Sequence, residues 1–86
     1  MLNEIYMIPI TSPKTLGKVL RKNRKNLGFT QSYAGKKFNL TQKMVSDIES
    51  GKDGVHIATI FRYMASLGLE MHLEFRNKLS NDSEIW

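Results

Sequence analysis

Residues 28–52 read GFTQSYAGKKFNLTQKMVSDIESGK, and this stretch decides the fold. Thr30 and Thr41 each stand just before a run that can be helical. A threonine hydroxyl there can accept from a backbone N–H of the first turn, which otherwise has no partner. The first run extends from Thr30 to about Phe38 and the second from Gln42 to Ser50, where Gly51 ends it. Asn39 lies between them and is one of the few non-glycine residues that tolerates the left-handed backbone of a tight turn. The reading is two short helices joined by a turn of about three residues.

The second of these helices has two faces. At 100° per residue Gln42, Lys43, Ser46, Asp47 and Ser50 fall within an arc of about 140°, while Met44, Val45 and Ile48 fall opposite. The apolar side is expected to pack on the other helices. The polar side carries groups suited to base edges: Gln pairs bidentately with adenine, Lys reaches guanine or phosphate, and Ser donates or accepts. Asp47 can accept from a cytosine amino group or orient Lys43 or Gln42. An ordinary amphipathic helix with a solvated face has the same pattern. The short turn, the caps and the basic surroundings favour a helix-turn-helix that reads DNA.

Working outward, Ser12 can cap a helix that begins at Pro13, where the missing N–H has no partner to lose. Leu16, Val19, Leu20 and Leu27 follow helical spacing, with Lys14, Lys18, Arg21, Lys22, Arg24 and Lys25 on the remaining surface and Gly28 as the stop. Downstream, Ile57, Ile60, Phe61, Met64 and Leu67 match the i, i+3, i+4, i+7 spacing of a helix over residues 56–67, closed by Gly68. LEMHLEFR, residues 69–76, alternates strictly, with Leu69, Met71, Leu73 and Phe75 on one face, as a half-buried strand does. Residues 4–10, EIYMIPI, read as a second short strand that Pro9 confines to an edge. The expected architecture is mainly α: a four-helix bundle with a C-terminal strand and a possible N-terminal one. It divides into an extension at 1–11, a helical domain at 12–68, a strand at 69–76 and a mobile tail at 77–86.

An isolated strand is unstable in water, so residues 69–76 need a partner. The same strand in a second copy would give an antiparallel ribbon, a homodimer, and two recognition helices about one DNA turn apart. Residues 4–10, from either chain, are the other candidate.

Composition narrows the function. A chain of 86 residues forms one thin-cored domain. Its formal net charge is +5, unevenly placed. Residues 1–52 hold ten Lys or Arg against Glu4, Asp47 and Glu49, a balance of +7, whereas residues 53–86 balance at −2. The first part suits phosphate and the second suits protein. With no cysteine and only the isolated His56 and His72, neither a disulfide nor a metal set is expected, nor any cofactor. No nucleophile, base and orienting group come together, so an enzyme is not expected. Asp47 and Glu49 are two apart on a helix and point different ways. An RNA or single-strand binder would place aromatics on a basic sheet, but Phe75 shares its face with aliphatic residues. Nothing suggests a signal peptide or a membrane span, so the expected location is the cytoplasm, with nucleoid association when bound to DNA.

Residues 28–52 resemble the helix-turn-helix of the lambda-repressor and Cro class. Thr30, Gln31, Thr41, Gln42, Val45, Ser46, Ile48, Glu49, Gly51 and Lys52 match that pattern by position. The resemblance implies that Gln31 contacts phosphate and supports Gln42, that Gln42, Lys43, Ser46 and Asp47 face the bases, that Lys52 meets phosphate, and that Thr30 and Thr41 also lie at the DNA interface. Glu49 is expected to be structural, pairing with a basic residue or capping. Three positions depart from the pattern: Ala34 stands where Leu is usual, Gly35 where Ala is usual and Asn39 where Gly is usual. Gly35 costs about 1 kcal/mol of helix propensity against Ala. Tyr33 or Phe38 is expected to fill the space beside Ala34.

Over residues 8–86 the chain also resembles antitoxins of the HipB type. The Ser-Pro start of the first helix, the Thr-Gln-Ser and Lys-Lys-Phe spacing, the strand after the fourth helix and Trp86 carry this likeness. It implies a repressor of its own operon that binds a palindromic operator and neutralises a HipA-like serine/threonine kinase toxin. Ile85 and Trp86, after Asp82 and Glu84, are the candidate anchor for that partner. The alternative is a stand-alone phage-type repressor with no toxin.

Overall fold

The computed structural model describes residues 8–76. Its four helices are α1 (Pro13–Asn26), α2 (Gln31–Lys36), α3 (Gln42–Glu49) and α4 (Ile57–Ser66). The starts of the first three follow from local hydrogen bonding. Ser12, Thr30 and Thr41 are extended N-caps whose side chains accept from the backbone N–H of Thr15, Tyr33 and Met44, at 3.1, 3.0 and 3.1 Å. Asn39 turns the chain between α2 and α3 with φ of 61°.

Leu20 of α1, Val45 and Ile48 of α3, and Tyr63, Met64 and Leu67 around α4 form the core, joined by Ala34 and Leu40 from the α2 region. Two glycines allow the helices to meet closely. A Cβ at Gly17 would stand 2.5 Å from the Glu49 carbonyl oxygen, so α1 and the end of α3 touch through backbone. A Cβ at Gly35 would stand 2.7 Å from the Leu40 carbonyl oxygen. The space beside Ala34 is closed, since Ala34 is fully buried in the core. Tyr33 and Phe38 do not fill it: both are exposed, and the Tyr33 ring packs edge-on against Phe29 with centroids 4.7 Å apart.

Three further expectations change. Arg24 is buried rather than on the solvent face of α1, because an acidic partner waits inside. Met44 is exposed, since α3 is covered chiefly along the Val45 and Ile48 side. In α4 the inward frame is Ile60, Tyr63, Met64 and Leu67, which turns Ile57 and Phe61 outward.

Among the described residues there is no strand. Residues 69–76 follow α4 without regular structure. Leu69 packs against the core of its own chain, while Met71, Leu73 and Phe75 are exposed, Leu73 at 90%. A ladder needs a second strand, and the single chain offers none among the described residues. Pairing with residues 4–10 falls largely outside them, and residues 8–10 are exposed without regular structure.

Candidate nucleic-acid interface

α3 turns its N-terminal end and one side to solvent. Gln42, Lys43 and Ser46 are exposed there, with Asp47 half-buried at their edge. An isolated helix of ordinary diameter fits the major groove, which is about 12 Å wide.

The Gln42 side chain is braced. Its Nε2 donates to Gln31 Oε1 at 3.4 Å, and its Oε1 accepts from Ser32 Oγ at 3.4 Å. Gln31 Nε2 donates in turn to Glu49 Oε1 at 3.2 Å. An ionised carboxylate can only accept, so the Gln31 group facing Glu49 is its NH2. The Gln31 oxygen is then left for Gln42, which must offer its own NH2. Polarity passes outward, residue by residue, from Glu49 to the helix surface.

Glu49 is held at the root of this chain. Arg24 Nε and Nη2 donate to its two oxygens at 2.7 and 3.0 Å, a forked pair whose side chains are 9% and 3% exposed. The Tyr63 hydroxyl donates to Glu49 Oε2 as well. Arg24 Nη1 donates to the Phe29 carbonyl at 2.8 Å, which ties the α1–α2 turn to the same cluster. Burial pushes the Glu49 carboxyl up, but the hydrogen bonds from Arg24, Tyr63 and Gln31 outweigh it and hold the group below the ordinary range. Glu49 holds the Arg24 guanidinium above its usual value, while burial and then Glu49 push the Tyr63 phenol upward.

A second ionic cluster lies on the surface. Lys43 Nζ donates to Asp47 Oδ2 at 3.1 Å, and Lys52 Nζ lies 3.8 Å from the same oxygen. Asp47 thus gathers two lysines along the solvent side of α3. Thr30 and Thr41, expected at the interface, serve as the caps of α2 and α3. The expected partner anchors Ile85 and Trp86 lie outside the described residues.

Residues 20–73 match the helix-turn-helix family. Over 64 residues the chain is 34% identical to Antitoxin HipB of Escherichia coli K12, covering 74% of this chain and 73% of that protein. Antitoxin HipB of Escherichia coli O6:H1 strain CFT073 is also 34% identical, with 74% and 68% covered. The chain belongs to the HipB antitoxin family of helix-turn-helix proteins. Two solved structures of this family superimpose at a TM-score of 0.78 and 31% identity, over 83% of this chain and 100% of theirs. One is a HipA–HipB–O2–O3 complex and the other a HipB–O4 20mer complex. The lambda-repressor-like helical fold expected from the motif is therefore present.

Within this HipB-type domain, sequence reasoning missed Arg24, Ser32, Arg62 and Tyr63. Two of them left a signal. Gly17, Leu20 and Arg24 share one face of α1 by spacing of three and four, which places an arginine on the inward stripe. Ile60, Tyr63, Met64 and Leu67 fit the i, i+3, i+4, i+7 template as well as the frame that begins at Ile57. Nothing local marks Ser32 or Arg62, whose partners lie 10 and 23 or 24 residues away. Among the described residues no helix is long and apolar enough to cross a membrane.

Proposed function

We propose that this chain is a sequence-specific, DNA-binding repressor and the antitoxin of a HipA-like serine/threonine kinase toxin. The observation that carries the reading is the braced, solvent-facing edge of α3, in a chain similar to HipB chains seen with HipA and with a 20mer. Gln42, Lys43, Ser46 and Asp47 face base edges, with the Gln42 amide oriented by its contacts with Gln31 and Ser32. Gln31, Thr30, Thr41 and Lys52 lie against phosphates. The role is binding, not catalysis, and it is exercised in the cytoplasm, on the nucleoid when operator is occupied.

Exposed Met71, Leu73 and Phe75 support a homodimer through residues 69–76. A second copy would supply the missing ladder and cover those side chains, while Leu69 stays in its own core. Ile85 and Trp86 form the anchor for the toxin, since a buried aromatic can supply about 2 kcal/mol or more of binding.

Two measurements on the full chain test this reading. Fluorescence anisotropy compares the duplex upstream of its own gene with a scrambled duplex. A preference of a thousandfold or more is the range of specific repressors, and equal affinity for both removes the repressor role. Calorimetry with the kinase-like product of the neighbouring gene tests the antitoxin role. Tight binding that weakens when residues 85–86 are deleted supports it. Operator preference without any such binding leaves a stand-alone repressor.

A further inference from the structure

Arg62 stands on α4 and does something its sequence position does not suggest. Its Nη2 donates to the carbonyl oxygens of Phe38 and Asn39, at 3.0 and 3.1 Å. These two carbonyls belong to the turn between α2 and α3. Both lie beyond Lys37, the C-cap of α2, so no intrahelical bond uses them and a cationic donor supplies their partner. α2 has only six residues, and the turn beyond it passes through Asn39 at φ of 61°. Short elements of this kind hold their geometry weakly without an outside tie.

The turn matters because Gln42 lies three residues beyond Asn39. Its two braces reach across from α2, to Gln31 and Ser32, and both are 3.4 Å long. Such bonds are near the limit of useful hydrogen-bond length. A slide of α3 against α2 by a fraction of an ångström breaks them and frees the amide to rotate. A tie from α4 onto this turn therefore adds to the close approach at Gly35 in setting how α2 and α3 meet, and so how Gln42 meets a base.

We infer that Arg62 is a positioning residue for sequence readout: by clamping the Phe38–Asn39 turn it sets the register of α3 on α2 and so the orientation of Gln42. This rests on the DNA-binding reading above. Arg62 is exposed, so the clamp contributes to position more than to stability. Its charge also invites a simpler explanation, a direct contact with phosphate. The two differ in what they predict. Loss of a phosphate contact weakens every duplex alike and lowers the salt slope by about 0.9. Loss of register removes discrimination and leaves the slope alone.

The test is Arg62→Met in the full-length protein, which keeps an apolar stem and removes the donors. Circular dichroism and thermal melting confirm that the variant is folded. Anisotropy titrations over a range of salt then compare the upstream duplex with a scrambled one, for wild type and variant. The expected result is a fall in discrimination of about fivefold or more, the lower end of what one bidentate base contact supplies. The salt slope is expected to stay as in wild type. An equal loss on both duplexes with a shallower slope makes Arg62 a phosphate contact and overturns the inference. Discrimination equal to wild type also overturns it. If the wild type itself does not discriminate, the DNA-binding reading fails and this inference falls with it.

Discussion

Two ion pairs sit on opposite sides of the same helix and play different parts. Glu49 faces inward and takes the forked guanidinium of Arg24, with both side chains nearly sealed from water. Asp47 faces outward and takes the ammonium of Lys43, whose side chain is 75% exposed. The inner pair is enclosed, rigid and completed by Tyr63 and Gln31, so every oxygen of the carboxylate is used. The outer pair is exposed and screened by water and salt. Burial makes the inner pair part of the frame that orients Gln31 and Gln42. Exposure leaves the outer pair easy to exchange, so Lys43 and Lys52 can leave Asp47 for a phosphate or a base.

The contrast is broken most directly from the inside. Glu49→Ala leaves Arg24 buried without its partner, and removal of one member of a buried pair costs about 3–5 kcal/mol. Urea denaturation is expected to show a loss of that size. A loss no larger than that of a surface substitution would mean the inner cluster is not structural.

Acid provides a gentler probe of the same cluster. Glu49 has a folded pKa below the ordinary carboxylate value near 4.5. Its contribution to stability is therefore complete above that value and disappears as pH falls through the lowered folded pKa. Thermal melts are expected to drop below about pH 4.5, and Glu49→Gln, though less stable at neutral pH, should show a flatter acid limb. An acid limb equally steep in the variant would assign the acid sensitivity to other carboxylates.

The outer pair should behave oppositely. Asp47→Ala is expected to change unfolding stability by no more than about 0.5 kcal/mol. It should also tighten binding to scrambled DNA, because Lys43 and Lys52 lose their counter-charge. A large stability loss would erase the distinction between the two pairs.

Much of the frame was legible because it is written locally. Ser12, Thr30 and Thr41 announce helix starts through hydroxyls that bond three residues ahead, and Asn39 announces the turn through its tolerance of positive φ. The outward face of α3 follows from spacing alone at Gln42, Lys43 and Ser46. What could not be read depends on distant partners. Arg24 looked like one more solvent cation of a basic helix, since its burial depends on Glu49, 25 residues away. The α4 frame was misassigned because Ile57 and Phe61 are apolar and Tyr63 carries a hydroxyl. Once that hydroxyl has Glu49 to donate to, the tyrosine is the better core residue. Residues 69–76 alternate like a strand, but alternation fixes only which side is apolar and not what pairs with it.

If α3 reads DNA through Gln42, removing that side chain must change base preference. Anisotropy titrations of Gln42→Ala are run against the upstream duplex and single base-pair variants of it, at fixed salt. The expected result is a loss of about 1–3 kcal/mol on the native duplex and a relaxed preference at one base pair in each half-site, with unchanged affinity for scrambled DNA. Native-duplex affinity and base preference equal to wild type would contradict it and move the readout away from α3.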